Sequence, residues 1–532
     1  MEVATMPYLG PRRWWALGAV SLAVLCVGLD GTVLSVALPT LSKALHASES
    51  DLQWFSSGYL LVLAAAMLPA GLLGDRYGRK KVMLIALGLF GAGSVACAYS
   101  TSPGEFLAAR LLVGLAGAGV TVMAITALTV LFSKEERPKA VGVWAAANSL
   151  ALPIGPILGG WLLTNYWWGW VFLINVPVVL VGLAAVAALV PESRASERPG
   201  MDPVGVAASA GGLVAVTYGL IKAGQDGWSN VGALLTLIAG IALLAGFFGW
   251  ERRLSRRPGG QPLLDLSLFR SASFTWGVIL ATVPVLAVFG VLFTMPQYFQ
   301  GVLGTNAIGS GLRLLPLIGG LVVGAALAPR AVRMVGAKVT LAAGFVLLAA
   351  GLFLGATTSV GSGGLFVAAW MALAGAGLGT AMTTASSAAL GELTEEHSGV
   401  GSAVLQAVNK TGGPFGVAIL GSILSAGYLA RLDLSGLPRP TAAAIRQSVF
   451  GGVAVARQIR SVSLLAAVRA AFVHGMDLAL VVSAGIAIVS VALTLLFLPA
   501  SAPKAPVASP ANALKAAIQA HTQDEGEVVA TR

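Results

Sequence analysis

Charge is what this chain has least of: of its 532 residues only 10% are Asp, Glu, Lys or Arg, while 57% are apolar. A soluble globular domain carries about 25% charged residues, so a water-soluble globule of this length is excluded. Cysteine is scarce as well. Cys26 and Cys97 both fall inside apolar runs, which leaves neither a disulfide framework nor a Cys-based metal site. The four histidines all lie outside the apolar spans, and no H-E-x-x-H or G-x-x-x-x-G-K-[ST] pattern occurs. A zinc hydrolase, a nucleotide-driven pump and enzyme chemistry in general therefore lack their parts. The formal charge of +11 would suit nucleic acid, but the basic residues sit between apolar stretches, where they set membrane orientation. No metal, cofactor or nucleic-acid partner is expected.

What the chain does have is long apolar runs. Segments of spanning length cover about 14–38, 52–73, 82–99, 105–131, 138–163, 168–190, 204–223 and 231–250, then 274–299, 306–328, 338–355, 364–390, 400–428 and 476–498. Each approaches the roughly 20 residues needed to cross a bilayer, so the expected fold is all-α, a polytopic membrane protein of about fourteen helices. Arg12 and Arg13 precede the first, which is longer than a signal-peptide core and reads as a retained helix. Alternate connections carry the positive charge: Arg76, Arg79, Lys80 and Lys81; Lys134, Arg137 and Lys139; Arg194 and Arg198; Arg252, Arg253, Arg256, Arg257 and Arg270; Arg330, Arg333 and Lys338. The other short connections contain only Lys43 and Lys222. The positive-inside rule then places both termini in the cytoplasm. The connection at 391–399 is acidic through Glu392, Glu395 and Glu396, but acids weigh little in that rule.

The sequence also repeats itself. Gly155-Pro156 recurs as Gly413-Pro414, Phe106 to Arg110 as Phe366 to Trp370, Gly78 as Gly336 and Pro39 as Pro296, all at offsets of 257 to 260. Two copies of one six-helix bundle in the same orientation account for this, with two helices inserted between them. The expected organisation is a cytoplasmic N-terminus at 1–13, a first bundle at 14–190 and an inserted pair with linkers at 191–271. A second bundle at 272–498 includes a long external loop at 429–475, and a disordered tail follows at 499–532. Parallel repeats of this kind build secondary transporters whose substrate site lies between the halves.

Four motifs sharpen the reading. The connection after the second helix runs Gly71-Leu-Leu-Gly74-Asp75-Arg76-Tyr-Gly78-Arg79-Lys80-Lys81, and the first helix carries Leu29-Asp30-Gly-Thr32 through Pro39. The fourth carries Arg110 to Gly114, and the fifth Pro153-Ile-Gly155-Pro156-Ile-Leu-Gly159-Gly160. With these motifs and the span count, the chain from residue 14 to about 498 resembles the fourteen-span drug:proton antiporters of the major facilitator superfamily. The resemblance implies export of hydrophobic or cationic drugs and antibiotics from the cytoplasm across the plasma membrane, against proton entry. The alternative is export of an endogenous amphipathic metabolite or lipid, including a producer's own antibiotic. It also implies that Gly71, Gly74, Asp75, Arg76, Gly78, Arg79 and Lys80 form a gate holding the cytoplasmic ends together in the outward-open state. The pattern at Pro153, Gly155, Pro156, Gly159 and Gly160 goes with antiport, although packing alone would also favour such small residues.

Asp30 and Arg110 should lie roughly 8–12 Å below the outer boundary at 1.5 Å per residue, and so share a depth. A carboxylate there is costly enough to mark function, and it can alternate between a protonated form and an ion pair with Arg110. Both are assigned to proton coupling. Tyr59, Asn148, Gln297, Gln406 and Asn409 are candidate substrate contacts, each with a helix-packing alternative; for Tyr59 that alternative is the aromatic belt. The expected partners are a drug-like molecule, protons and the bilayer, with the protein a monomer driven by the proton-motive force.

Overall fold

The computed structural model describes residues 12–133, 136–194, 202–257, 263–264, 266–391, 393, 395–435 and 437–499. The N-terminal segment up to residue 11, the tail from 500 and the side chains of the acidic connection, Glu392, Glu395 and Glu396, lie outside the described residues. The first half comprises α1 (Arg12–Ala44), α2 (Glu49–Tyr77), α3 (Arg79–Ala98), α4 (Pro103–Leu131), α5 (Arg137–Asn165) and α6 (Trp170–Leu173), which runs into α7 (Asn175–Leu189). Then come α8 (Pro203–Asp226) and α9 (Val231–Ser255). The second half is α10 (Ala272–Gln297), α11 (Ala307–Arg313), α12 (Leu315–Gly355), α13 (Gly364–Leu390), α14 (Glu395–Arg431), α15 (Arg439–Gln447), α16 (Val449–Gln458) and α17 (Val462–Phe497).

Among the described residues thirteen helical stretches are long and apolar enough to cross a membrane, and one of them, Ala307–Gly355, covers 49 residues. It is broken at Gly336, whose φ of 82° is non-helical, so that one stretch is two crossings and thirteen becomes fourteen. Gly78 does the same work between α2 and α3, at φ 114°. Positive φ is cheap only for glycine, and both repeats place a glycine there, 258 residues apart, to fold two crossings tightly back on each other.

Within the first half α1 packs on α5 and α7, α2 on α4, and α3 on α4 and α7; in the second α10 packs on α13 and α14, and α12 on α13 and α17. The inserted pair α8 and α9 pack on each other, and α8 also lies against both α2 and α14. That leaves α9 on the periphery, with Leu235, Ile238 and Ile241 exposed on its surface, as a helix facing lipid tails should be. Local signals start the helices: Ser48 and Asp51 make a capping box at α2, and Ser102 caps α4 ahead of Pro103.

The last crossing differs from its expected bounds. Apolarity places it at 476–498, but α17 begins at Val462, and the segment expected as an open loop at 429–475 contains α15 and α16. Arg469 and His474 depress the hydropathy of the first turns of α17, yet those turns pack on α14 and α16 and stay helical. Apolarity traces the lipid-embedded part of a helix, and tertiary packing can carry the helix beyond it.

Candidate proton and substrate pathway

Asp30 sits inside the first half on α1, only 3% exposed, and Arg110 on α4 is 0% exposed. Arg110 Nη1 lies 2.5 Å from Asp30 Oδ2. The guanidinium rests on the Tyr59 ring, 4.1 Å from its centroid, a cation–π contact that strengthens when desolvated. Its Nε donates to the Phe55 carbonyl at 3.5 Å, while its Nη2 is buried without a partner among the described residues. Asp30 Oδ1 accepts from Asn175 Nδ2 at 3.3 Å, and Asn175 also reaches Ser94 Oγ and accepts from the Cys26 thiol. Asp30 lines a cavity of about 100 Å³ whose walls are mostly apolar residues of α1, α5, α6 and α7. Depth arithmetic anticipates the pair; the supporting ring of Tyr59, Asn175 and Ser94 comes from three other helices and has no local sequence signal.

Tyr59 is thereby spoken for. It is 1% exposed, with its hydroxyl donating to Val27 O at 3.1 Å and one ring face covered by Arg110, so it props the ion pair rather than lying in an aromatic belt at the membrane surface. Asn148 faces α1 at Gly28 from α5. Asn409 Oδ1 accepts from Thr282 Oγ1 of α10 at 3.4 Å, and Gln406 is half-buried one turn earlier on α14. Gln297 lies between the halves: its Nε2 donates to Glu49 Oε1 of α2 at 3.1 Å and is also 3.3 Å from Phe293 O. Glu49, just outside the expected second span, was not a candidate from sequence, because a carboxylate at a helix start reads as a cap.

The turn at 71–81 is held to its own half. Arg79 donates to Asp75 through Nε and Nη2 at 3.0 and 2.8 Å. The Glu192 carboxylate after α7 accepts from the backbone N–H groups of Lys80 and Lys81 at the start of α3, where a helix terminus favours an anion. Lys80 Nζ reaches Ala187 O at 2.6 Å. Arg76 lies over the Tyr77 ring. Gly71 and Gly74 back onto Val122 and Met123 of α4.

At the other end the halves meet. Gln300 Nε2 of the turn after α10 donates to Val36 O of α1 at 3.1 Å, and Gly421 of α14 packs against Gln53 of α2. The small residues of α5 are used here: Gly155 and Gly159 press on Thr32 and Val33 of α1, while Gly160 meets Ala307 and Ile308, and Pro156 O meets Gly311. Pro153 lies one turn before this contact. Toward the basic end, by contrast, Val141, Val143 and Leu150 of α5 are exposed. The molecule is therefore closed at the end away from the basic turns. A Cβ at Gly160 would lie 2.7 Å from Ile308 Cα, and such overpacking costs about 1–3 kcal/mol. Gly160→Ala is thus expected to shift the population away from this closed state about fivefold or more. Labelling of a cysteine introduced at Ala307 by an impermeant maleimide should rise accordingly; unchanged labelling would count against the contact's role.

The chain matches the Major Facilitator Superfamily over residues 20–203 and again over 204–417. It is 33% identical over 497 residues, 91% of each chain, to the tetracenomycin C resistance and export protein of Streptomyces glaucescens. It is 31% identical over 494 residues to the multidrug efflux pump LfrA of Mycolicibacterium smegmatis, covering 91% of this chain and 95% of that one. Among solved structures it superimposes on a bacterial homolog of the lysosomal transporter Spinster in an inward-facing, occupied conformation, with a TM-score of 0.66 and 17% identity over 91% of this chain and 97% of that one. A D-xylose–proton symporter gives 0.57 and 15% over 94% and 100%; these two likenesses concern the fold. The chain belongs to the Major Facilitator Superfamily, in its drug-efflux family. It is a multi-pass membrane transporter and not an enzyme.

Proposed function

We propose that this protein exports hydrophobic, drug-like compounds, antibiotics among them, from the cytoplasm across the plasma membrane in exchange for protons. The observation that carries the proton half is the Asp30–Arg110 pair, the ion pair buried at 0% and 1% side-chain exposure. With a proton on Asp30 the carboxyl is neutral, the ion pair is broken and Arg110 keeps Tyr59 and Phe55; without it, the pair closes again. An ionised Asp30 without Arg110 would be an uncompensated buried charge, so opening of the pair and arrival of the proton go together. The basic turns face the cytoplasm on this reading, as do both termini, so the structure is open inward and sealed outward by α5, α10, α11 and α14. Cargo enters between the halves from the cytoplasmic side, and the seam around Gly160 and Gln297 must part to release it. The gate at Asp75 acts in the opposite conformation, when the cytoplasmic ends close. The protein works as a monomer in the bilayer and needs no cofactor beyond the proton-motive force. Its resemblance to proteins named for resistance to tetracenomycin C and to puromycin favours self-protection of an antibiotic producer as the second reading. The deciding experiment is expression in a bacterial host stripped of its own efflux pumps. Raised resistance to several hydrophobic antibiotics and dyes, lost with Asp30→Asn, is the expected result; unchanged susceptibility across the panel with the protein present in the membrane would refute it.

A further inference from the structure

Lys410 is a charge with no partner. It lies on α14, ten residues inside the apolar run at 400–428, about 15 Å along the axis at 1.5 Å per residue. Among the described residues it makes no hydrogen bond or ion pair, and no carboxylate acts on its ammonium. Helices α10 to α13 contain no Asp or Glu at all, and Asp477 of α17 lies at the other end of α14, two residues past Gly475, which packs on Leu424 and Gly427, so neither neutralises it. A cation inside a membrane span is expensive and is normally paired or placed where something charged passes.

Its place on the helix says which of these applies. At 100° per residue, Lys410 lies within about 20° of both Val417 and Gly421 around the axis of α14. Gly421 packs on Gln53 of α2, and Val417 lines a small cavity with Gly31, Ser35, Ser56 and Leu60 of the first half. That stripe of α14 is therefore the one that faces the other half. Two turns toward the basic end, the same stripe presents Lys410 where the halves begin to part. Leu60 against Gly413 and the Phe289 ring mark the last apolar contacts before it. An ammonium beside apolar and aromatic walls suits an amphipathic ring compound with one acidic group.

We infer that Lys410 is the counter-charge for a carboxylate, sulfonate or phenolate on the cargo, so that this transporter selects hydrophobic anions over hydrophobic cations. This deepens the transport reading given above and rests on it. Two fluorescent probes of opposite charge test it on the full-length protein: the anion 1-anilinonaphthalene-8-sulfonate and the cation ethidium. Lys410→Gln should weaken binding of the anion about tenfold or more while leaving the cation unchanged or tighter, and Lys410→Arg, which keeps the charge, should bring the anion back to within about threefold. In proteoliposomes with no pH difference, an imposed membrane potential alone should drive the anion, because exchanging it for a proton moves two charges. Equal anion affinity in wild type and Lys410→Gln overturns the inference. So does loss of both probes together without rescue by arginine, which is what a structural or proton-carrying lysine would give. Binding is also read in Asp30→Asn, where export is expected to be lost. A Lys410 effect on the anion that persists there supports the inference independently of export, whereas wild-type protein that binds the anion no better than the cation overturns it and leaves the export reading standing.

Discussion

Replacing Asp30 by asparagine is expected to abolish drug-dependent proton movement while leaving the protein folded in the membrane. The amide keeps the shape of the carboxylate, and its one oxygen can still accept from Arg110 Nη1, now 2.5 Å from Oδ2, while its nitrogen takes the place of Oδ1 beside Asn175. It cannot take up and release a proton. Alanine at the same position should behave differently, since it removes the acceptor as well as the charge and leaves the buried Arg110 Nη1 and Asn175 Nδ2 without that partner, at about 1–3 kcal/mol for each unsatisfied group, which should reduce the amount of protein in the membrane. Glutamate should retain part of the activity. The check is proton release on adding substrate to proteoliposomes, together with the yield of folded protein in detergent. Full drug-dependent proton release by the asparagine variant would remove Asp30 from the coupling mechanism.

The second large effect concerns how far the pump can concentrate its cargo. One proton entering across about 100 mV yields roughly 2.3 kcal/mol, and one pH unit adds about 1.4. For a neutral cargo exchanged one for one, the sum of roughly 3.7 kcal/mol sustains about a 500-fold gradient. A monovalent cation exchanged for one proton moves no net charge, so only the pH contribution remains and the gradient is about tenfold. Nigericin, which collapses the pH difference, should abolish cation export, and valinomycin should not; neutral cargo should respond to both. Cation export driven by a membrane potential alone would require more than one proton per cycle. Glu49, in the seam with Gln297, and Asp477, mid-helix on α17 with its Oδ1 buried and unpartnered, are then the carboxylates to mutate.

The depth of Asp30 and Arg110 could be read from sequence because both positions follow from counting residues along a straight apolar helix, and the crossing at Gly78 because a glycine beside a run of basic residues marks a turn. Gly336 was legible for the same reason once the repeat was noticed. What sequence could not supply was lateral neighbourhood. Nothing local to residue 59 says that its ring will lie under Arg110, since Tyr59 sits on α2 and Arg110 on α4. Glu49 falls just outside the apolar segment at 52–73, a boundary drawn by hydropathy, yet it is buried against the second half; Asp477 is the second residue of the segment at 476–498, where a charge reads as the edge of a span, yet α17 starts at Val462 and makes it mid-helix. Lys410 was visible as a charge in a span, but its lack of a partner among the described residues is a property of the assembled bundle.

The length of α17 has a consequence at the end away from the basic turns. Gly475 touches Gly427 near the end of α14; from that level α14 runs only four residues further, to Arg431, while α17 runs thirteen back to Val462, about 6 Å against about 20 Å. With α16 packed on it and α15 on α16, this extension forms a helical turret at that end of the second half. Arg439, Arg446, Arg457, Arg460 and Arg469 stud it. On intact cells a protease that cuts after arginine would meet this turret first if the basic turns face inward, and would find it out of reach if they face outward, so one gel band reports which way round the whole molecule sits.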